Sequence, residues 1–326
     1  MNAVLNELPR VVEEALALYD LDTVSACTPV THGIENANYF VTTSRNGTDR
    51  HFVLTFLQQD SYAGQSYVPM LKRLKEAGLP VPAPLQNSQG EPITILGPER
   101  ILLQPRLTGL HTINPTLRQI SALARFTARM HLTLKPLSDE LPSYPRSAAW
   151  LRKSSDQIAS RLSYTGRRLL FESIDRTEML FSRGDVQRLP VGGIHGDLFR
   201  DNVLFNEHGL TGALDFHHAS LGFWIYDLAV IANDWCNDTS GRLDPDRVSV
   251  LLRAYHQIRP LCEEEIWFFS TFALYAGVAF WVSRMLAVEA SRHQPGIRTK
   301  DPEEFRRIVA HHHARSYYMD TRSLRI

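Results

Sequence analysis

Helical and two-residue periods alternate along the first hundred positions. Val4, Leu5, Leu8, Val11, Val12, Ala15 and Leu16 follow helical spacing. Residues 38–43 and 51–57 are strand-like and flank Asn46-Gly47, which predicts a hairpin. A helix carrying Met70, Leu71 and Leu74 on one face follows, stopped by Gly78 and the prolines 80, 82 and 84. Residues 93–96 and 100–104 predict a second strand pair across Gly97-Pro98. Past Pro105 helical spacing takes over, at residues 116–134, 150–181, 247–258 and 263–290. The pattern predicts an α/β (α+β) chain of two lobes: a small β-rich lobe over residues 1–105 and a larger, mainly helical lobe over 106–326. A cleft between two such lobes is where small ligands tend to bind.

Residues 266–283 carry no charge, close to the shortest length for a membrane span. Ser270, Thr271, Tyr275 and Gly277 interrupt them and Glu263, Glu264 and Glu265 precede them, so a buried core helix is expected. His311-His312-His313 suggests a metal site, but adjacent helix positions point in different directions, so a solvated run is expected.

Composition narrows the classes. The 326 residues hold 35 Lys+Arg against 35 Asp+Glu, without the basic excess that nucleic-acid and membrane-surface binders need. A hydrophobic share of 44% with 21% charged residues is that of a folded globular chain. Three scattered cysteines, Cys27, Cys236 and Cys262, form no zinc or disulfide spacing and fit a reducing compartment. Glu7, Glu13 and Glu14 stand where a secretory signal would be apolar, so a cytoplasmic location is expected.

The candidate chemistry lies in one β-like island of the helical half. His195-Gly196-Asp197 is followed by Asn202, a short strand, the turn at residues 206–209, a second strand and Asp215-Phe216. Folded as a hairpin, this segment brings two acids and an amide to one end. Phosphoryl transfer needs that set: a carboxylate to orient and deprotonate a hydroxyl, and hard oxygen ligands for magnesium. The spacing matches the protein-kinase order of His-x-Asp, Asn five residues after the acid, then Asp-Phe. The competing reading makes His195 and Asp197 a buried turn and Asp215 a helix cap, and it leaves the ordered set unexplained.

At these residues the chain resembles the aminoglycoside phosphotransferase and choline kinase superfamily, and within it the bacterial homoserine kinases of that fold. The resemblance extends through residues 33–41, Val53-Leu54-Thr55, 78–82, 103–109, Tyr226-Asp227, 233–236, 280–284 and 301–305. It implies a two-lobed kinase-like fold and the use of ATP and Mg2+ to phosphorylate the side-chain hydroxyl of L-homoserine, a step toward threonine. Asp197 would be the catalytic base, with Asn202 and Asp215 the magnesium ligands. Gly33, Asn36 and Asn38 would cover the phosphates. Gln104, Pro105 and Leu107 would form an adenine-binding hinge through main-chain groups. A kinase for choline, ethanolamine or an aminoglycoside, and a nucleotide-binding pseudokinase, remain as alternatives.

Thr55 occupies the position where most kinases of this architecture place a phosphate-binding lysine, and Tyr67 and Val68 stand where its glutamate partner would be. Losing both is coherent, because a lone buried carboxylate is costly. Arg50, Lys72 or the amides around Gly33 are left to meet the phosphate charge. For an amino-acid acceptor, Asp234, Trp235, Trp281 and Arg284 are the substrate-binding candidates, Arg284 as a fork for the carboxylate. Asp227 and His131 read as structural supports of the loop, and His217 and His218 as packing or hydrogen-bonding groups.

Overall fold

The computed structural model describes residues 9–30, 37–57, 63–292 and 299–314. They divide into two compact units, Met1–Gly109 with Thr211–His217 and Leu110–Leu210 with His218–Ile326.

The first unit is built on a five-stranded antiparallel sheet of order β1-β2-β3-β5-β4. The strands are β1 (Thr23–Pro29), β2 (Ala37–Arg45), β3 (Thr48–Leu57), β4 (Thr94–Leu96) and β5 (Glu99–Pro105). Both predicted strand pairs form, while β1 does not show in the hydrophobic pattern because only Cys27 of its seven residues is buried. Helix α1 (Arg10–Leu16) sets Val12, Ala15 and Leu16 among Val41, Phe52, Leu54, Ile101 and Leu103. Leu102 is buried too, so β5 is covered on both faces. Helix α2 (Ala63–Glu76) buries Met70, Leu71 and Leu74 as their spacing predicts. It ends at Gly78 (φ +74°), where the Leu79 N–H donates to the Leu74 carbonyl at 3.0 Å across the left-handed residue.

The second unit holds α3 (Leu117–Leu134), α4 (Ala148–Ile158), α5 (Tyr164–Phe181), α6 (Trp224–Trp235), α7 (Pro245–His256), α8 (Glu263–Ser291) and α9 (Pro302–Ala314). A small sheet joins β6 (Val191–Ile194) to β9 (Ser220–Phe223), and the predicted hairpin pairs β7 (Val203–Asn206) with β8 (Gly209–Ala213), whose residues from Thr211 on are counted with the first unit. Thr116 and Gln119 cap α3 reciprocally. The expected single run over 150–181 is two helices, because Ser163 accepts from the Gly166 N–H at 3.1 Å and starts α5 afresh. Helix α6 was missed because all twelve of its residues are buried, which leaves no amphipathic period to read.

Helix α8 is long and apolar enough to cross a membrane by composition, yet 72% of its most apolar window is buried within the protein. It packs against α4, α5, α6 and α9 and is the core helix expected. The histidine run on α9 does point three ways, but it is not wholly solvated. His311 lies 3.4 Å from the Ser240 hydroxyl and His313 3.0 Å from Glu172. His312 is buried and bonds Asn233 Oδ1 at 2.8 Å.

Candidate active site

Strand β6 delivers the chain to His195, and the loop that follows is held at nearly every residue. Asp227, in the first turn of α6, accepts from the backbone N–H of His195 at 2.8 Å and of Gly196 at 2.7 Å. The Asp197 N–H donates to His195 Nδ1 at 3.2 Å. The Asn202 amide donates to both the carbonyl and Oδ2 of Asp197, each at 2.8 Å. Trp235 Nε1 donates to the Leu198 carbonyl at 2.9 Å. Gly196 has φ +77°, and a Cβ there would meet Tyr144 Cε2 at 3.1 Å and the His218 carbonyl at 3.3 Å. Only glycine meets both demands comfortably, which accounts for His-Gly-Asp where protein kinases carry His-Arg-Asp.

A buried relay stands behind Asp227. His131 Nε2 lies 3.0 Å from Asp227 Oδ2, and His131 Nδ1 lies 2.6 Å from the Tyr255 hydroxyl. Arg259 Nε donates to Tyr255 at 2.9 Å, and its guanidinium pairs with Glu265, which is fully buried. Burial lowers the His131 pKa, so the ring is neutral, with Nε2–H donating to Asp227 and Nδ1 accepting from Tyr255. Burial alone would raise Asp227, but the His131 hydrogen bond and the loop N–H donors outweigh it and hold the carboxyl below its ordinary range. Asp227 and His131 are thus the supports the sequence suggested.

Asp215 belongs to the first unit. It adopts φ +59°, a strained conformation for a residue other than glycine, and its Oδ1 is buried without a hydrogen-bond partner. A buried carboxylate oxygen left unmatched fits a cation ligand. Asn202 commits its amide nitrogen to Asp197, which leaves amide oxygen chemistry for a hard ion. Among the described residues no three His, Cys, Asp or Glu side chains cluster for a metal. Magnesium asks for less, one or two protein oxygens beside the substrate's phosphates, and the Asp215 carboxylate and the Asn202 amide oxygen are each of the kind it takes.

The other expected nucleotide contacts also belong to the first unit, where described. Gly33 and Asn36 lie outside the described residues. Asn38 stands opposite Thr55 in the β2–β3 register. Thr55 is buried, and the buried Tyr67 accepts from Gln104 Nε2 at 3.1 Å. Gln104 also donates to the Pro82 carbonyl, so its side chain is used internally and a hinge role falls to the main chain. Pro105 faces Phe52 at the end of β5, two residues before Leu107. The Tyr67 ring stacks on His217 with centroids 5.0 Å apart.

The four substrate candidates lie in the second unit, and of these Asp234 and Trp235 touch the loop. Asp234 accepts from Arg200 N at 2.7 Å and from its guanidinium at 3.0 and 3.2 Å. Burial raises the Asp234 pKa, and Arg200 opposes that rise. Arg284 does not reach Asp234. It donates to Glu304 at 2.5 Å and to the Asp301 carbonyl at 2.9 Å. Trp235 and Trp281 are fully buried, and Trp281 Nε1 has no partner. Sequence reasoning missed Arg200, although it lies within the loop it anchors. It also missed Tyr144, whose ring lies against Gly196, and Arg146 beside the Tyr144 hydroxyl, since both are remote from the loop in sequence and leave no local pattern.

A phosphate-transfer loop on this fold has clear relatives. The profile of the phosphotransferase enzyme family matches residues 26–261, and the chain belongs to that family. A homoserine kinase of Pseudomonas aeruginosa is 36% identical over 93% of this chain and 94% of its own. A homoserine kinase of Cupriavidus necator is 35% identical over 89% and 90%. A spectinomycin phosphotransferase solved with ADP and spectinomycin shares the fold, with TM-score 0.69, 15% identity and coverage of 94% and 97%.

Proposed function

We propose that this phosphotransferase is an ATP-dependent homoserine kinase, forming O-phospho-L-homoserine. The observation that carries the reading is the Asp197–Asn202 pair, set at 2.8 Å on a loop pinned by Asp227. Full-length relatives at about a third identity that are homoserine kinases support the acceptor. Asp197 orients the acceptor hydroxyl and takes its proton as the oxygen attacks the γ-phosphorus of ATP and the bond to the β,γ-bridging oxygen breaks, releasing ADP. Asn202 holds that carboxylate with one amide hydrogen, and Asp215 and the Asn202 oxygen serve as magnesium ligands. Bound magnesium neutralises charge on the transferring phosphoryl group. The Gln104–Leu107 main chain takes adenine, and Gly33, Asn36 and Asn38 cover the phosphates. Asp234 and Arg284, held by Arg200 and Glu304, and the buried Trp235 and Trp281 support the acceptor side as structural surroundings.

The test is phosphoryl transfer to homoserine measured beside serine, threonine, choline and ethanolamine, with the product identified by mass. Homoserine should be preferred, and Asp197→Asn should lower kcat by about a thousandfold or more while ATP still binds. Near-normal turnover in that variant refutes the role of Asp197. Nucleotide binding without transfer to any acceptor would favour a pseudokinase.

A further inference from the structure

Most partly or fully buried arginines of the second unit are neutralised by a carboxylate. Arg259 has Glu265, Arg284 has Glu304 and Arg200 has Asp234. Arg146 is different. It sits in the segment before Ser147, the N-cap of α4, and is half-buried. Its guanidinium lies 4.8 Å from the centroid of the Phe280 ring, and its NH1 is 3.5 Å from the Tyr144 hydroxyl. The Arg146 carbonyl accepts from the Tyr275 hydroxyl at 2.6 Å, which fixes the backbone. No carboxylate of the described residues lies within ion-pairing distance of it.

Its position matters because the Tyr144 ring lies against Gly196, the residue before Asp197. The Tyr144 hydroxyl is itself 2.6 Å from that of Tyr226, so the ring is held at both ends. Through Tyr144 the guanidinium lies beside the segment that carries Asp197, and although burial disfavours charge on Arg146, the nearby Asp197 carboxylate favours its cation. A half-buried guanidinium packed on an aromatic face, with no carboxylate of the described residues in direct ion-pairing contact, gives up hydration without a full ion pair in return. It is also preorganised for a carboxylate, whose two oxygens fit its fork. Arg284 and Asp234, by contrast, already spend their charge on each other's neighbours.

We infer that Arg146, steadied by Tyr144 and Phe280, binds the carboxylate of the acceptor and selects an amino-acid alcohol over a simple amino alcohol. This rests on the proposed kinase activity and deepens it. A zwitterion would be held with its hydroxyl at Asp197 and its carboxylate at Arg146. An acceptor without a carboxylate leaves the guanidinium unmatched.

The experiment compares homoserine with 3-aminopropan-1-ol, its decarboxylated analogue, in wild type, Arg146→Met and Arg146→Lys. Arg146→Met should raise KM for homoserine about 100-fold, the worth of a charge-assisted pair, with kcat within fivefold. Its kcat/KM for 3-aminopropan-1-ol should stay within threefold of wild type. Arg146→Lys should recover part of the homoserine loss, and it carries the comparison if the methionine variant does not fold. Equal losses for both acceptors, or an unmoved homoserine KM, overturn the inference. If the wild type does not phosphorylate homoserine, the proposed function falls on its own. The Arg146 inference is then judged on whichever acceptor is used. It stands if that acceptor bears a carboxylate and Arg146→Met penalises it selectively, and it is overturned if the acceptor bears none.

Discussion

Asp227→Asn tests whether the loop is built from behind. Asp227 is fully buried and receives three donors, at 2.7, 2.8 and 3.0 Å. An amide keeps only one acceptor oxygen. Placed on the Oδ2 side, that oxygen still serves His195 N–H and His131, but the new NH2 group then faces the Gly196 N–H, donor against donor. An unsatisfied buried N–H costs about 1–3 kcal/mol, and two charge-assisted bonds made neutral lose roughly 1 kcal/mol each. Relief from burying a charge returns part of this, so a loss of about 3 kcal/mol is expected, within the range for breaking one side of a buried pair. Denaturant unfolding should show it at pH 7. Because the folded carboxyl sits below its ordinary pKa, Asp227 stabilises fully above the unfolded value of roughly 4. That contribution fades as pH falls through the folded value, so the difference between wild type and variant should shrink only in acid. Turnover should fall about 100-fold as the backbone beside Asp197 shifts, since small misplacements of reacting groups are expensive. A variant with wild-type unfolding midpoint and turnover within threefold would refute the account.

Two further outcomes follow from single side chains. Burial lowers the His312 pKa from 6.5 to about 4, so the native state resists its protonation. Stability should be complete above pH 6.5 and decline toward pH 4 by about 3 kcal/mol from this group. His312→Gln should flatten that part of the unfolding profile, and an unchanged slope would contradict the assignment. Gly196→Arg, which writes the protein-kinase residue into the loop, forces a side chain into φ +77° against Tyr144 and should cut turnover at least about 100-fold, measured beside a melting curve.

How much of this was readable from the residues differs between fold and site. The β2–β3 and β4–β5 pairs, α2 and α3 follow from period and punctuation, because each shows water one face and the core another. Helix α6 shows water no face at all, and β1 buries too little to stand out. The loop was legible for a different reason. His195, Gly196, Asp197 and Asn202 are neighbours in sequence, and their spacing is itself the geometry. What holds them is remote: Asp227 lies 32 positions on from His195, and Tyr255 124 on from His131. Charge pairing is remote in the same way. Glu304, the partner that makes Arg284 structural, could not be picked out because it is distant along the helices, and Arg146 drew no notice because nothing local marks it.

That difference bears on where specificity resides. The short-range part of the site, from His195 to Asn202, is what a phosphotransferase needs for any hydroxyl. The acceptor must be recognised by groups gathered from afar, and these divide by whether their charge is already spent. Arg200, Asp234, Glu304 and Arg284 form a closed chain of opposite charges that stiffens the loop. Such a chain has little left to offer a zwitterion without being broken first. Arg146 has its charge still to give, and it leans on the tyrosine that touches Gly196. The same reasoning that makes the closed chain structural therefore puts acceptor selection at the open cation.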